Sequence, residues 1–203
     1  VEYDPGQIQY LHNRGFVLAS QGDLEKAIED FTKVLKENPE HAKARFNRGE
    51  AYFLTNDLDK AKVDYTAAIR LDDKIPGAYN GRGFVFYLQG DYNAASTDYN
   101  QALRIDNRHV GALTNRGDAY ADTGQYDAAL RDYNGALVVD PNYHRAYASA
   151  AWLRATCPDN ATRRADLALR SAQRAIEMGG ESARYESILA AALARSGNYE
   201  EAV

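Results

Sequence analysis

Four tripeptides, Asn13-Arg14-Gly15, Asn47-Arg48-Gly49, Gly81-Arg82-Gly83 and Asn115-Arg116-Gly117, stand 34 residues apart. A fixed period of this length marks stacked helix–turn–helix units, none of which can bury its apolar face alone. With each tripeptide glycine at the eighth position of its unit, the first four repeats run 8–41, 42–75, 76–109 and 110–143. Such a stack presents an open concave surface instead of a closed pocket. The period alone therefore points towards a binding scaffold and away from an enzyme.

The remaining repeat positions sort by size. Position eight is Gly15, Gly49, Gly83 and Gly117, then Ala151 and Ala190; twelve residues after each glycine comes Ala27, Ala61, Ala95 or Ala129. Small residues on facing helices let two backbones approach closely. Between them stands Gly22, Asn56, Gly90 or Gly124, placed to end the first helix in a left-handed conformation. Phe31, Tyr65, Tyr99 and Tyr133 share one large position, and Leu18, Tyr52, Phe86 and Tyr120 another; both are expected in the core. Pro39 and Pro141 close their repeats.

These residues resemble the tetratricopeptide repeat family, whose pattern places a small residue at eight, Gly near fifteen, Ala at twenty, an aromatic at twenty-four and Pro at thirty-two. The resemblance covers nearly the whole chain. It implies an all-α, right-handed superhelical solenoid, with residues 1–203 as a single domain. The departures are Asp73 and Asn107 where proline is usual, and Arg in place of Leu at position seven.

A fifth repeat over 144–182 is irregular, with five residues too many between Ala151 and Ala168, an insertion near 157–161. Its second helix is expected from Thr162 to Met178. The segment from Ala151 to Asp159 is similar to a variant common in bacterial members of the family. A partial repeat, 183–203, breaks off after Ala202, and Pro5 lies in register with Pro39. Val1 to Gly6 therefore reads as the tail of an earlier repeat. With no initiator Met, both ends read as cuts in or beside a longer array.

The formal charge of −5 argues against nucleic acid, which calls for a clustered basic surface. No apolar run approaches the roughly 18 residues of a membrane span. A lone cysteine excludes an internal disulfide, and bacterial cytoplasm and periplasm both tolerate it. Cys157 has no base partner in sight and reads as a structural thiol. His41, His109 and His144 fall at repeat junctions and His12 on the inner face, without the close spacing of a metal motif. No cofactor is expected.

Arg14, Arg48, Arg82 and Arg116 at position seven accompany Asp30, Asp64, Asp98 and Asp132 at position twenty-three. The fifth repeat has Ala150 and Ser171 instead. Joint presence and joint absence predict an ion pair joining the helices of a unit, or neighbouring units. Four copies in series are a structural device, not one acid and one base in a cleft.

By the family resemblance, positions two, five, six, nine, twelve and thirteen line the concave groove. Position six carries Asn13, Asn47 and Asn115, interrupted by Gly81, which is expected to leave a gap. The series is similar to the asparagine ladder in the repeat domain of the glycosyltransferase that attaches N-acetylglucosamine to intracellular proteins. That implies carboxamides holding a peptide main chain, about 0.5–1.5 kcal/mol each; the alternative is bonding within the solenoid. Phe16, Phe46, Phe53, Phe84, Tyr87 and Trp152 add aromatic surface, unless curvature packs them between repeats. Glu50, Asp118 and Asp122 add negative charge. The expected ligand is an extended segment with apolar anchors and a basic residue, bound at roughly micromolar affinity. The carboxylate clamp of chaperone-docking relatives is missing, since His12, Phe16, Asn47, Gly77 and Gly81 supply only the asparagine. The chain thus reads as a non-catalytic interaction scaffold. The alternatives are a self-associating array and an accessory region of a larger enzyme.

Overall fold

The computed structural model describes residues 5–159, 162–179 and 183–197, and among them the chain forms eleven α-helices. They fall in two compact units, 1–106 and 107–203. The first holds α1 (Pro5–Ser20), α2 (Leu24–Glu37), α3 (Ala42–Leu54), α4 (Leu58–Leu71), α5 (Pro76–Leu88) and α6 (Tyr92–Ile105). The second holds α7 (Val110–Asp122), α8 (Tyr126–Val139), α9 (His144–Thr156), α10 (Ala165–Gly179) and α11 (Ala183–Ser196).

Within the first unit each helix packs on the next, α1 touches α3, and α3 touches α5. The even-numbered helices of this unit do not touch one another among the described residues. Odd helices that meet and even helices that splay make a curved stack with the odd helices on the inside. In the second unit α9 likewise touches both α7 and α11.

Helix α2 shows how a unit buries its face. Ala27, Asp30, Phe31, Val34 and Leu35 are its buried residues, at the i, i+3, i+4, i+7, i+8 spacing of one helical stripe. The turn between the helices of a pair needs a positive φ, found at Gly22 (84°), Asn56 (61°), Gly90 (79°) and Gly124 (78°). The following helix is capped by Asp57 or Asp91, whose carboxylates accept the Lys60 and Ala94 N–H groups. Between pairs, His41 and His109 cap through Nδ1, accepting from the Ala44 and Ala112 N–H groups.

The glycine at position eight is the point of closest approach. A Cβ on Gly15, Gly49, Gly83 or Gly117 would stand 2.9, 3.0, 2.9 or 2.5 Å from the ring of Phe31, Tyr65, Tyr99 or Tyr133. Those four rings are buried, as the sequence predicts.

The expected ion pairs are present. Arg14, Arg48, Arg82 and Arg116 each donate from Nε to one oxygen and from Nη2 to the other of Asp30, Asp64, Asp98 and Asp132, at 2.6–2.9 Å. The bidentate fork joins the two helices of a unit. Arg48 Nη1 also donates to Thr32 Oγ1, and Arg82 Nη1 to Thr66 Oγ1, so it reaches the preceding repeat as well. Position eleven is shared between the core and the cation. Tyr52, Phe86 and Tyr120 are only partly buried, their rings 5.7–6.0 Å from the guanidinium carbon of Arg48, Arg82 and Arg116. Tyr52 and Tyr120 also pack against the buried core clusters of their units, so these rings extend the core and cover the cation together.

Two boundaries differ from the sequence reading. Pro5 and Gly6 belong to α1, because proline fits the first turn of a helix, where its missing N–H costs nothing. Residues 1–4 of the supposed repeat tail lie outside the described residues. Helix α10 starts at Ala165, not Thr162, because Asp159 holds the Thr162 N–H and hydroxyl in a turn. The fifth repeat keeps an inter-helix bond, Arg154 Nη1 to Ser171 Oγ at 3.3 Å, in place of the lost ion pair. Cys157 is buried against Ala129, Tyr133, Ala150 and Leu153, a packing role. Residues 160–161 of the insertion and 198–203 of the partial repeat lie outside the described residues.

The cost of breaking an ion pair should follow the burial of the stranded arginine. The Arg48 side chain is 15% exposed and that of Arg14 44%. Asp64→Ala is expected to cost roughly 3 kcal/mol, the lower end for a broken buried pair. Asp30→Ala should cost clearly less, because its arginine stays in water. Denaturant unfolding of both variants measures the difference, and equal small losses would contradict it.

The junction of α1 and α3 should sense pH. The rings of His12 and His41 stack at 4.9 Å. Burial, then repulsion from His41, lowers the pKa of His12; burial lowers that of His41, whose Nδ1 already accepts the Ala44 N–H. Folded values below the ordinary 6.5 mean that the neutral rings stabilise the fold fully above pH 6.5. That contribution is lost as pH falls through the folded values. His41→Asn keeps a capping acceptor without a titrating ring, so thermal melts of this variant should fall less steeply below pH 6.5 than those of the wild type.

Candidate functional site

The inner face of each unit is built from its odd-numbered helices. The asparagines of position six stand there in three different settings. Asn13 is exposed and accepts a hydrogen bond from Gln9 Nε2. Asn47 is partly buried and its Nδ2 donates to His12 Nε2 of the preceding repeat at 3.1 Å. Asn115 is buried. Bonding within the chain thus accounts for part of this series, and only Asn13 has a largely open side chain.

Gly81 does not leave a gap. It is buried, and a Cβ there would stand 2.6 Å from Tyr65 Cζ and 2.9 Å from the Tyr65 hydroxyl. The ring of the preceding repeat fills the place of the missing carboxamide. Restoring the asparagine should therefore harm the protein: Gly81→Asn is expected to cost roughly 1–3 kcal/mol by overpacking. Denaturant unfolding tests this, and an unchanged midpoint would show that Tyr65 can move aside.

The aromatic residues divide into packed and open groups. Phe46 lies over α5, its ring 2.7 Å from where a Gly77 Cβ would be, and near Tyr65 with ring centroids 6.3 Å apart. Phe53 packs against Phe84 at 5.5 Å, and Phe84 stacks on Tyr87 at 5.8 Å. These four are partly buried; Phe46 and Phe53 pack against the following repeat, while the Phe84–Tyr87 stack lies within one. Phe16, Leu54 and Leu88 in the first unit, and Trp152 in the second, are half or more exposed.

The acids of position nine show an arrangement that single-residue reading misses. The Tyr65 hydroxyl donates to Glu50 Oε1 at 2.5 Å, and the Tyr133 hydroxyl donates to Asp118 Oδ1 at 2.9 Å. Position nine is Phe16, Glu50, Phe84, Asp118 and Trp152, alternating aromatic and acid, so the surface repeats every second unit. Thr55 and Thr123 follow the same doubled period, each bonding back to a helix carbonyl. The signal in the sequence was the joint occurrence of an acid at nine and a tyrosine at twenty-four. Asp118 also accepts from Arg145 Nη2 on Oδ2 at 3.0 Å, a residue the motif analysis passed over. Glu50 is open to solvent yet surrounded by protein; this desolvation raises its pKa, and the Tyr65 hydrogen bond opposes the rise.

No group of three or more His, Cys, Asp or Glu among the described residues is placed to hold a metal ion. No described helix is long and apolar enough to cross a membrane. Two surface depressions of about 320 and 530 Å³ lie at the turns around Gly124–Tyr126 and Thr55–Asp59.

Comparison with known proteins agrees with this architecture. Sequence profiles described as tetratricopeptide repeat match residues 13–72 and 183–203, and one described as TPR repeat matches 85–124 and 117–151. The chain is similar in fold to PilW, a widely conserved type IV pilus biogenesis factor, with a TM-score of 0.83 and 17% identity over 96% of this chain and 88% of that one. It is similar to YrrB, described as a TPR protein with an unusual peptide-binding site, with a TM-score of 0.62 and 21% identity over 86% and 88% of the two chains. A mouse FK506-binding protein-like protein is 44% identical over 45 residues, which span 22% of this chain and 13% of that protein. Helix pairs at a 34-residue period, glycine-to-aromatic contacts and matching profiles agree: the chain belongs to the tetratricopeptide repeat family.

Proposed function

We propose that this protein binds an extended segment of a partner protein on its inner face and carries out no reaction of its own. Tetratricopeptide repeats mediate protein–protein interactions, and the likeness in fold to a peptide-binding member, YrrB, supports the same use here. The observation that carries the reading is the set of apolar side chains left open on the inner helices of the first unit. Phe16, Leu54 and Leu88 leave half or more of their surface in water, and exposed apolar groups on one face mark a partner surface. Leu54 and Leu88 are 34 residues apart, the same position in successive repeats, so they offer evenly repeated anchor points.

Around these anchors, Phe46, Phe84 and Tyr87 form an aromatic floor, and Asn13 and Asn47 supply carboxamides that can pair with a peptide main chain. Glu50 supplies charge beside them. In the second unit Trp152 is the exposed aromatic, with Asp118 and Asn115 on the same inner layer. Asn47 would exchange its bond to His12 for one to the ligand, so its net contribution is small.

The test is selection of displayed random dodecapeptides on the immobilised chain, followed by affinity measurement. Leu54→Ser/Leu88→Ser removes two exposed side chains without opening the core. It should lower the affinity of selected peptides at least tenfold while the unfolding midpoint stays the same. Failure to select any peptide, or equal binding by the variant, would rule the groove out; a concentration-dependent dimer in light scattering would favour self-association instead.

A further inference from the structure

The two acids of position nine are the same site in two electrostatic conditions. In the second unit Asp118 gives one oxygen to the Tyr133 hydroxyl and the other to Arg145. In the first unit Glu50 gives one oxygen to the Tyr65 hydroxyl, and the residue that corresponds to Arg145 is Gly77. Each of these three correspondences spans 68 residues, two repeats. The second oxygen of Glu50 therefore lacks the cation that its counterpart has, and no ion pair forms at Glu50 among the described residues. The chain cannot supply one from position 77 either, because the Phe46 ring occupies the place of any side chain there.

The walls around Glu50 suit one cation in particular. Phe46 and Phe53 stand one turn before and after it on the same face of α3. Phe84 adds a third ring against Phe53. A guanidinium is planar, weakly hydrated and stacks on aromatic faces, whereas an ammonium is compact and strongly hydrated. Resting on the groove reading above, we propose that Glu50 receives an arginine side chain of the bound segment, which takes the role that Arg145 plays for Asp118 within the chain. The peptide would then be oriented by one charged contact in the second repeat, with its apolar side chains directed to Leu54 and Leu88.

The experiment uses dodecapeptides selected on the wild-type chain, each paired with a version in which arginine is replaced by citrulline, of the same shape but uncharged. Both are measured against wild type and Glu50→Gln, which keeps an acceptor for the Tyr65 hydroxyl. Because glutamine can still accept from the Tyr65 hydroxyl and the side chain is exposed, the melting temperature of Glu50→Gln at pH 7 should stay close to that of the wild type. Selected peptides should share an arginine. Citrulline should weaken binding to wild type at least tenfold, and Glu50→Gln should bind both versions equally. Selected peptides without a basic residue, or a citrulline loss as large in Glu50→Gln as in wild type, would overturn the arginine assignment while leaving the groove intact. Selecting no peptide at all would instead remove the groove, and this assignment with it.

Discussion

One contact sets the geometry of every regular repeat: the aromatic ring at position twenty-four lying against a glycine at position eight. Even a methyl group there would meet the ring at 3.0 Å or less. The ring therefore fixes how closely the two helices of a unit pass, and close-packed interiors transmit such a constraint without slack. The bidentate arginine–aspartate pair then fixes their rotation, since a planar fork accepts a carboxylate in one orientation only. One contact acts on distance and the other on angle. Together they place the inner-face side chains at the same station in each copy.

Most of the fold could be read in the chain because it is written four times. Repetition averages out local accident: the turn at Gly22, Asn56, Gly90 and Gly124, the buried rings and the ion pairs all stand where comparison of copies puts them. Comparison of copies fails where a side chain reaches outside its own repeat. Gly81 looked like an omission because its neighbour in space, Tyr65, belongs to the repeat before. Tyr52 and Phe86 lie over guanidinium groups of their own repeat, so a ring that reads as core also serves a cation.

The inner face was less legible for the same reason. The asparagines of position six share one residue type and one station but not one environment. The ring of His12, the Gln9 side chain and a buried pocket make three different residues of them. An exposed leucine at the end of an inner helix is, by contrast, the same thing in two successive copies. Identity of type predicts identity of role only where the neighbours repeat as well.

The doubled period has a consequence for how this chain came to differ from itself. If the copied segment was a pair of repeats, Glu50 and Asp118 descend from one ancestral acid, as do His41 and His109, and Thr55 and Thr123. Their fates then diverged. In one copy an arginine closes the charge within the chain; in the other the corresponding residue is a glycine, with an aromatic ring against it. The same station thus holds one acid tied by an ion pair and one tied by a hydroxyl alone, and a repeated architecture can in this way keep one framework while its copies come to differ in what they offer.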